Sequence, residues 1–365
     1  MITLFKFPKI RREALLLSLL MLSMVSAVAV QSNQRKALLI DHIDIHSKTS
    51  IIHLGSIDTF DITEAGKQAS KFLLDALNNN NLEAATAAST VYDRIIPKEN
   101  YGGEYTALQW FAWYLLAPPD KQQQMLSDKY HREFFNFWSE NDFANVKEYL
   151  ERKYKFKEFE DAQTFKGQER LAYLEDFILF NNPRREEWEK TSKMMEVLNL
   201  EPGMTIADIG SGPGYFTFKF SEAVGAKGKV LALDTVKTHV DFIKSVAEKY
   251  DFNNIEFVHL SNIDSIGIPP NQVDLAYMCS LYHIIYTVNS ESVRQSYIAS
   301  IRDALKPGGR FIVVDNAVVE DKTLPYHGPF IAKELIIAQL ERYGFQLETQ
   351  YQFIPQRYVL VFRKV

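Results

Sequence analysis

The sequence predicts an α/β fold, a doubly wound and mostly parallel sheet preceded by an α-helical domain, and three features carry that expectation. Beyond Arg184, β-branched and apolar runs alternate with amphipathic stretches, the pattern of parallel strands joined by crossover helices. The first of these strands passes through a glycine-rich turn directly into a helix. From Thr63 to Asn181, by contrast, apolar residues recur at helical spacing. At roughly 150 residues per domain, 365 residues suit two domains. The expected division is a leader or anchor over 1–30, a mainly helical domain over 31–182, and an α/β domain over 183–365.

Composition narrows the function classes. With 46% apolar and 24% charged residues the chain has enough apolar material for ordinary packed cores. The single cysteine, Cys279, excludes an intrachain disulfide framework, a Cys-rich zinc site and an iron–sulfur cluster. A net charge of −5 leaves no excess of cations to neutralise phosphates, so nucleic acid is not an expected partner.

The elements follow in order. Lys6, Lys9, Arg11 and Arg12 precede an apolar run from Ala14 to Val30 that ends in Ala27-Val28-Ala29, the layout of a secretory signal. An uncleaved membrane anchor is the alternative, because the run has the minimum length for a span. Either way the remainder is expected outside the cytoplasm, exported or anchored to a membrane. Short strands are expected in Ala37–Ile45 and Ser50–Leu54. Helices are expected over Lys67–Leu77, Leu82–Ile96, Tyr105–Leu116, Lys121–Glu140, Asn145–Tyr154 and Gly167–Leu179, punctuated by Asn78–Asn81, Pro97 and Pro118-Pro119. Asn181-Asn182-Pro183 marks the domain boundary. Then come helix Glu186–Leu198, strand Thr205–Ile209, helix Phe216–Val224, strand Val230–Leu233, helix Val240–Tyr250, and strands Ile255–Leu260 and Val273–Met278. Helix Val293–Leu305, strand Arg310–Val314, helix Ala332–Tyr343 and a closing antiparallel pair, Gln346–Phe353 and Tyr358–Arg363, complete the chain.

The sharpest signal is Asp208-Ile209-Gly210-Ser211-Gly212-Pro213-Gly214-Tyr215 at the first strand-to-helix switch. Alternate glycines let the backbone approach a ligand where side chains would collide and allow positive φ in the turn. A dinucleotide fingerprint needs its third glycine one place later, where Tyr215 stands, which argues against NAD.

A G-x-G-x-G turn behind an acidic residue resembles motif I of the class I S-adenosylmethionine-dependent methyltransferases. The likeness runs over about half the chain, roughly Arg184 to Val365, through Leu200-Glu201-Pro202-Gly203-Met204, through Leu231-Ala232-Leu233-Asp234, and through Leu305-Lys306-Pro307-Gly308-Gly309-Arg310 leading to Asp315. It implies a Rossmann-like methyltransferase fold, S-adenosyl-L-methionine as cofactor, and a cofactor site drawn from Asp208, Gly210, Ser211, Gly212, Gly214, Tyr215, Asp234, Ser261, Asn262 and Ser280. Asp234 would accept the ribose hydroxyls. Relatives often carry an acidic residue where Ser261 stands, so the adenine contact would fall to the Asn262 carbonyl or to Asp264.

The segment Met278–Tyr286 follows the fourth strand of the sheet, beside the expected methyl group. His283 is the candidate general base, since an imidazole ordinarily titrates near neutrality, and packing over the cofactor is the equal alternative. Tyr282 is the second catalytic candidate and better suited to a wall than to an acid. Cys279 is expected to pack as a small apolar group. No metal is required. Asp41-His42-Ile43-Asp44-Ile45-His46 would align three ligands on a strand, but a solvated strand face reads the same way. His327, in Pro325-Tyr326-His327-Gly328-Pro329, is a weaker second base. Aromatics at Tyr101, Tyr105, Trp110, Phe111, Trp113, Tyr114, Phe134, Phe135, Phe137 and Trp138 read as the helical domain's core, with a pocket for an apolar acceptor as the sharper alternative. The expected function is methyl transfer to a small-molecule or lipid-like acceptor. A protein methyltransferase that docks its substrate on the helical domain, and a non-catalytic cofactor-binding protein, are the alternatives.

Overall fold

The computed structural model describes residues 52–53, 63–97, 103–319 and 329–365. The leader, the Asp41–His46 run, Tyr101 and His327 lie outside the described residues.

Helices α1 (Glu64–Asn79), α2 (Leu82–Ile95), α3 (Glu104–Leu116), α4 (Pro119–Met125), α5 (Lys129–Lys153) and α6 (Phe165–Phe180) make the helical unit. Their ends are set locally. Thr63 accepts the Gly66 amide at 3.0 Å, Asn80 closes α1 in the left-handed region, and Asn81 accepts the Glu83 and Ala84 amides to open α2. One short asparagine run thus serves as stop and start. Pro119 opens α4 at its first turn, and Asp128 caps α5. The expected helix Lys121–Glu140 is therefore two helices, because the Asp128 side chain takes the orphan amides of Tyr130 and His131. Within α5 the helical path breaks over Glu140–Phe143, where Asn141, Asp142 and Phe143 have positive φ.

The aromatics form this unit's core, as their spacing suggests. Tyr105, Trp110, Phe111, Phe134 and Trp138 are buried, and Phe111 stacks on Phe134 with centroids 5.5 Å apart. Each such ring contributes about 1.5–3 kcal/mol by leaving water.

After the boundary the expected helix over 186–198 is split into α7 (Arg185–Glu189) and α8 (Thr191–Leu198), because Lys190 adopts φ 56°. The remaining elements are β2 (Thr205–Ile209), α9 (Tyr215–Val224), β3 (Lys229–Asp234), α10 (Lys237–Lys249), β4 (Ile255–His259), β5 (Val273–Cys279), α11 (Tyr282–Val288), α12 (Glu291–Ala304), β6 (Leu305–Asn316), β7 (Phe330–Ile331), α13 (Lys333–Arg342), β8 (Phe345–Ile354) and β9 (Arg357–Lys364). The short helix α11 has no counterpart in the sequence expectation. Strand β1 (Ile52–His53) pairs antiparallel with β7.

The seven-stranded sheet has the order β4-β3-β2-β5-β6-β9-β8, parallel through β6 and antiparallel at β9 and β8. This is a doubly wound, Rossmann-like sheet with the terminal pair at one edge, as the strand pattern predicted. Alternate residues of the strands feed two cores. Ala207, Leu233, Met278 and Val313 face one, and Ile206, Ala232, Tyr277 and Val314 face the other. Burial on both faces explains why these strands read as continuous apolar runs.

The helical unit lies against α9 and α10. Phe242 of α10 meets Phe177 of α6 edge-on at 4.5 Å, Tyr130 stacks on Phe218 at 5.7 Å, and Tyr250 donates to Glu133 at 2.6 Å. The boundary itself is tied down. Asn182 donates to Thr106 Oγ1 at 2.6 Å, and the Arg184 guanidinium bonds Gln109. Among the described residues no helix is long and apolar enough to cross a membrane.

Candidate functional site

Strand order reverses between β2 and β5, and open α/β sheets bind ligands in the crevice at the carboxyl ends of the strands at such a point. The glycine turn after β2 stands there. Gly210, Gly212 and Gly214 all have positive φ (73°, 53° and 92°), which explains glycine at each. Their surroundings differ. A Cβ on Gly214 would sit 2.8 Å from Phe218 and 2.9 Å from Ile243, and one on Gly210 would sit 2.7 Å from Leu281. One on Gly212 would meet nothing closer than Phe180 at 3.8 Å. Gly210 and Gly214 are thus fixed by the fold's own packing, and Gly212 leaves room beside the turn. Ser211 Oγ is buried there without a hydrogen-bond partner among the described residues. Room and an orphaned hydroxyl at one turn fit a polar ligand.

Asp234 ends β3 with its carboxylate aimed at this turn, accepting the Gly212 amide at 2.7 Å and the Val236 amide at 2.8 Å. Burial alone would raise its pKa. His239 and these two amides outweigh burial and hold the carboxyl below its usual range. Asp208 is buried behind the turn and accepts the Thr217 hydroxyl at 2.6 Å. Burial pushes its carboxyl up to about 7, against the Thr217 bond. The Tyr215 hydroxyl lies 3.1 Å from Thr191 Oγ1, and its ring receives the Arg185 guanidinium at 4.4 Å.

Three residues at this turn were missed in the sequence. His239, on α10, is buried between Asp234 and Asp176 of α6, 3.6 Å and 3.3 Å away. Burial opposes its charge, but the two carboxylates win and raise it to about 10, so it stands as an imidazolium. Phe180 faces Gly212, and Asn181 donates to the Pro213 carbonyl at 3.1 Å while its own Oδ1 is buried without a partner among the described residues. No local motif announces these side chains, because the helical unit delivers two of them.

Beyond β4, Ser261, Asn262 and Asp264 are exposed, and the Asn262 carbonyl accepts the Asp264 amide at 3.0 Å. The oxygen considered for adenine is thus engaged in a local turn.

At the carboxyl end of β5, His283 is buried with its Nδ1 2.7 Å from Asp315 Oδ1, and its amide donates to Asp315 Oδ2 at 2.9 Å. A carboxylate accepts only from a protonated nitrogen, so Nδ1 carries a proton and, in the neutral ring, the lone pair lies on Nε2. Tyr282 is 1% exposed, its hydroxyl donates to Gln339 at 2.6 Å, and burial raises its pKa far above the usual value. Cys279 packs against the apolar core of the sheet, as expected, but its thiol also meets two guanidinium groups, Arg357 Nη2 at 2.8 Å and Arg185 Nη2 at 3.8 Å. Ser280 takes φ 55°, and its hydroxyl accepts Arg357 Nη2 at 2.6 Å. Among the described residues no group of His, Cys, Asp and Glu has the layout of a metal site.

Residues 200–343 match the family model described as a methyltransferase domain. Among curated proteins, the chain is similar to the ubiquinone/menaquinone biosynthesis C-methyltransferase UbiE of Shewanella sp. strain W3-18-1, 28% identical over 122 residues, 33% of this chain and 46% of the relative. The same enzyme of Shewanella frigidimarina is 26% identical over 153 residues, 38% of this chain and 58% of the relative. The chain thus spans about half the length of the curated relatives it matches. Among solved structures, a SAM-dependent methyltransferase from Aquifex aeolicus is 22% identical, covers 50% of this chain and 94% of its own, and superposes with a TM-score of 0.44. The 1,6-didemethyltoxoflavin-N1-methyltransferase of Burkholderia thailandensis, solved with S-adenosylhomocysteine, is 16% identical, covers 48% of this chain and 77% of its own, and gives 0.38. The stretch that matches this family model lies on the doubly wound sheet.

Proposed function

We propose that the chain is an S-adenosylmethionine-dependent methyltransferase acting on a small-molecule acceptor. The observation that carries this reading is the turn at the switch point, where the space beside Gly212, the orphaned Ser211 hydroxyl and the Asp234 carboxylate converge within a segment that matches a methyltransferase domain. When bound, S-adenosylmethionine supplies a methyl group on a positively charged sulfur.

The residues divide the remaining work. Asp234 is ionised, and each of its oxygens has a lone pair beyond the amide it accepts, so it can take the ribose hydroxyls. Ser211 donates to the cofactor through its unpartnered hydroxyl, and Gly210, Gly212 and Gly214 keep the backbone close. Asp208 braces the strand end against α9 through Thr217, and Tyr215 closes the side of the turn. Ser261 and Asn262 border the adenine side. At the other end, His283 removes the acceptor's proton at Nε2, while Asp315 orients the ring and stabilises the imidazolium. Tyr282 and Ser280 shape the wall. Export through the N-terminal segment, with a membrane anchor as its alternative, is proposed from the basic cluster Lys6–Arg12 and the apolar run behind it.

Calorimetric titration with S-adenosylhomocysteine, followed by a transfer assay with labelled cofactor and fractionated cell extract, tests the reading. Saturable binding and label in a low-mass product are expected. A folded protein that binds no cofactor overturns the reading. Label in protein bands would instead select a protein acceptor, and binding without transfer a non-catalytic role.

A further inference from the structure

Two guanidinium groups are buried together where the sheet's carboxyl edge runs from β5 to β9. Arg185 and Arg357 are 4% and 5% exposed, and among the described residues the carboxylate they share is Glu189, which pairs with Arg185 and lies 2.9 Å from Arg357 Nη2. Cys279 stands between them, and burial raises its thiol pKa, so it remains uncharged at neutral pH. The cluster therefore holds one more buried positive charge than negative. A buried charge without a counter-charge is unfavourable in a low-dielectric interior.

The hydrogen-bond inventory points the same way. Arg357 Nη1 donates to Asn316 Oδ1 at 2.8 Å, and Nη2 is taken by Ser280, Cys279 and Glu189. Its Nε is buried with no partner among the described residues, and so is Nε2 of the adjacent Gln356, itself 3% exposed. Two orphaned donors at one hairpin tip and an uncompensated cation describe a receptor for an oxyanion. Ser280, whose hydroxyl steadies Arg357, is held at φ 55°, an uncommon conformation for serine and one that concentrates at ligand sites. The Arg185 guanidinium is fixed over the faces of Tyr215 and Phe216, 4.4 and 4.9 Å from their centroids, with its donors engaged by Glu189 and the Phe180 carbonyl, so the unmet donors of the cluster belong to Arg357 and Gln356.

Resting on the methyltransferase reading, we propose that Arg357 and Gln356 form an oxyanion pocket and that the methyl acceptor is a small molecule carrying a carboxylate, held there beside His283. Strand order assigns the carboxylate to the acceptor rather than to the cofactor's amino-acid end. The cofactor's ribose belongs at Asp234 on β3, one strand on the far side of β2, whereas β9 lies three strands away in the opposite direction. At about 4.8 Å per strand, β9 is roughly 14 Å from β2. Asp315 and Asn316 are consecutive on β6 and point to opposite faces, so the His283–Asp315 pair and the Arg357–Asn316 pair flank the same strand end. A ligand lying across that end reaches both.

The test uses the full chain saturated with S-adenosylhomocysteine and titrated calorimetrically with benzoate and with neutral benzamide. Benzoate is expected to bind at least about tenfold more tightly than benzamide, and Arg357→Met to remove that preference. Gln356→Met is the second variant, for the case that Arg357→Met fails to fold. Because it deletes an orphaned donor, it should weaken benzoate several-fold while leaving Tm unchanged or higher, an outcome that a merely structural glutamine would not give. Equal affinity for benzoate and benzamide in the parent overturns the proposal. So does a loss of S-adenosylhomocysteine affinity in both variants with 5′-methylthioadenosine affinity intact, since the carboxylate would then be the cofactor's. Benzoate binding in a protein that does not bind S-adenosylhomocysteine would support the pocket and sink the methyltransferase reading alone.

Discussion

His239 Nε2 lies 3.3 Å from Asp176 Oδ2, an ion pair that joins α10 of the sheet domain to α6 of the helical unit. The other ring nitrogen of the same imidazole faces Asp234 at 3.6 Å. The carboxylate assigned to the cofactor's ribose is therefore steadied by a cation that the helical unit helps to hold in place. This contact, together with Phe180 and Asn181 at the glycine turn, brings the helical unit to the turn proposed to hold the cofactor.

His239→Leu is expected to lower stability by about 2 kcal/mol, below the roughly 3–5 kcal/mol for breaking a fully buried pair because Asp176 is 33% exposed. It should also weaken cofactor binding, since Asp234 loses its neighbouring charge. The folded pKa of about 10 stands above the ordinary 6.5. The stabilisation is therefore full below about 6.5 and is lost as pH rises through about 10. Denaturant melts between pH 6 and 10 check this, and a variant with the parent's pH slope would show that His239 does not carry the linkage.

The three motif glycines should fail in different ways. Gly212→Ala costs only the positive-φ strain, about 1 kcal/mol, yet it places a methyl beside the cofactor turn. Loss of cofactor affinity at near-parental Tm is expected. Gly214→Ala drives a Cβ into Phe218 and Ile243, so Tm should fall first. Thermal melts paired with S-adenosylhomocysteine titration separate the two, and similar Tm losses in both would refute the distinction.

Asp208 should impose a pH dependence of the opposite kind from that of a salt-bridged acid. Its carboxyl titrates at about 7 when folded and at 3.8 when free. The unfolded chain gives up its proton first, so stability declines as pH rises from about 4 to about 7 and is level above. The ceiling is roughly 4 kcal/mol. Asp208→Asn keeps an acceptor for Thr217 and should abolish that decline. Unfolding free energies at pH 4.5 and 7.5 measure it, and an unchanged difference in the variant would place the carboxyl in its ordinary range.

His283→Ala should reduce turnover about 10²–10⁴-fold with cofactor affinity nearly unchanged, and the rising limb of the pH–rate profile should vanish with it. Asp315→Asn leaves the shape but lets the ring proton move, so it should lower kcat while KM changes little. If His283→Ala instead loses cofactor affinity, and His283→Gln restores part of it, the ring packs on the cofactor and is no base.

The sequence by itself determined the strands, the order in which they alternate with helices, and the glycine turn with Asp234 behind it. Those features depend on local chemistry: period-2 and period-3.6 burial, glycine where φ is positive, and caps such as Thr63, Asn81 and Asp128. Even the misread helices failed locally, at Lys190 and Asp128, where a left-handed residue and a cap cut runs whose apolar spacing continues through. Tertiary structure alone decided which polar groups meet. His283 lies 32 residues from Asp315, Asp176 stands on another unit from His239, and the Cys279 thiol, read as an apolar filler, lies between arginines 94 residues before it and 78 after. Side-chain pairing across such separations leaves no periodicity in the chain, because it is set by which strand ends and helix faces the packed sheet brings together.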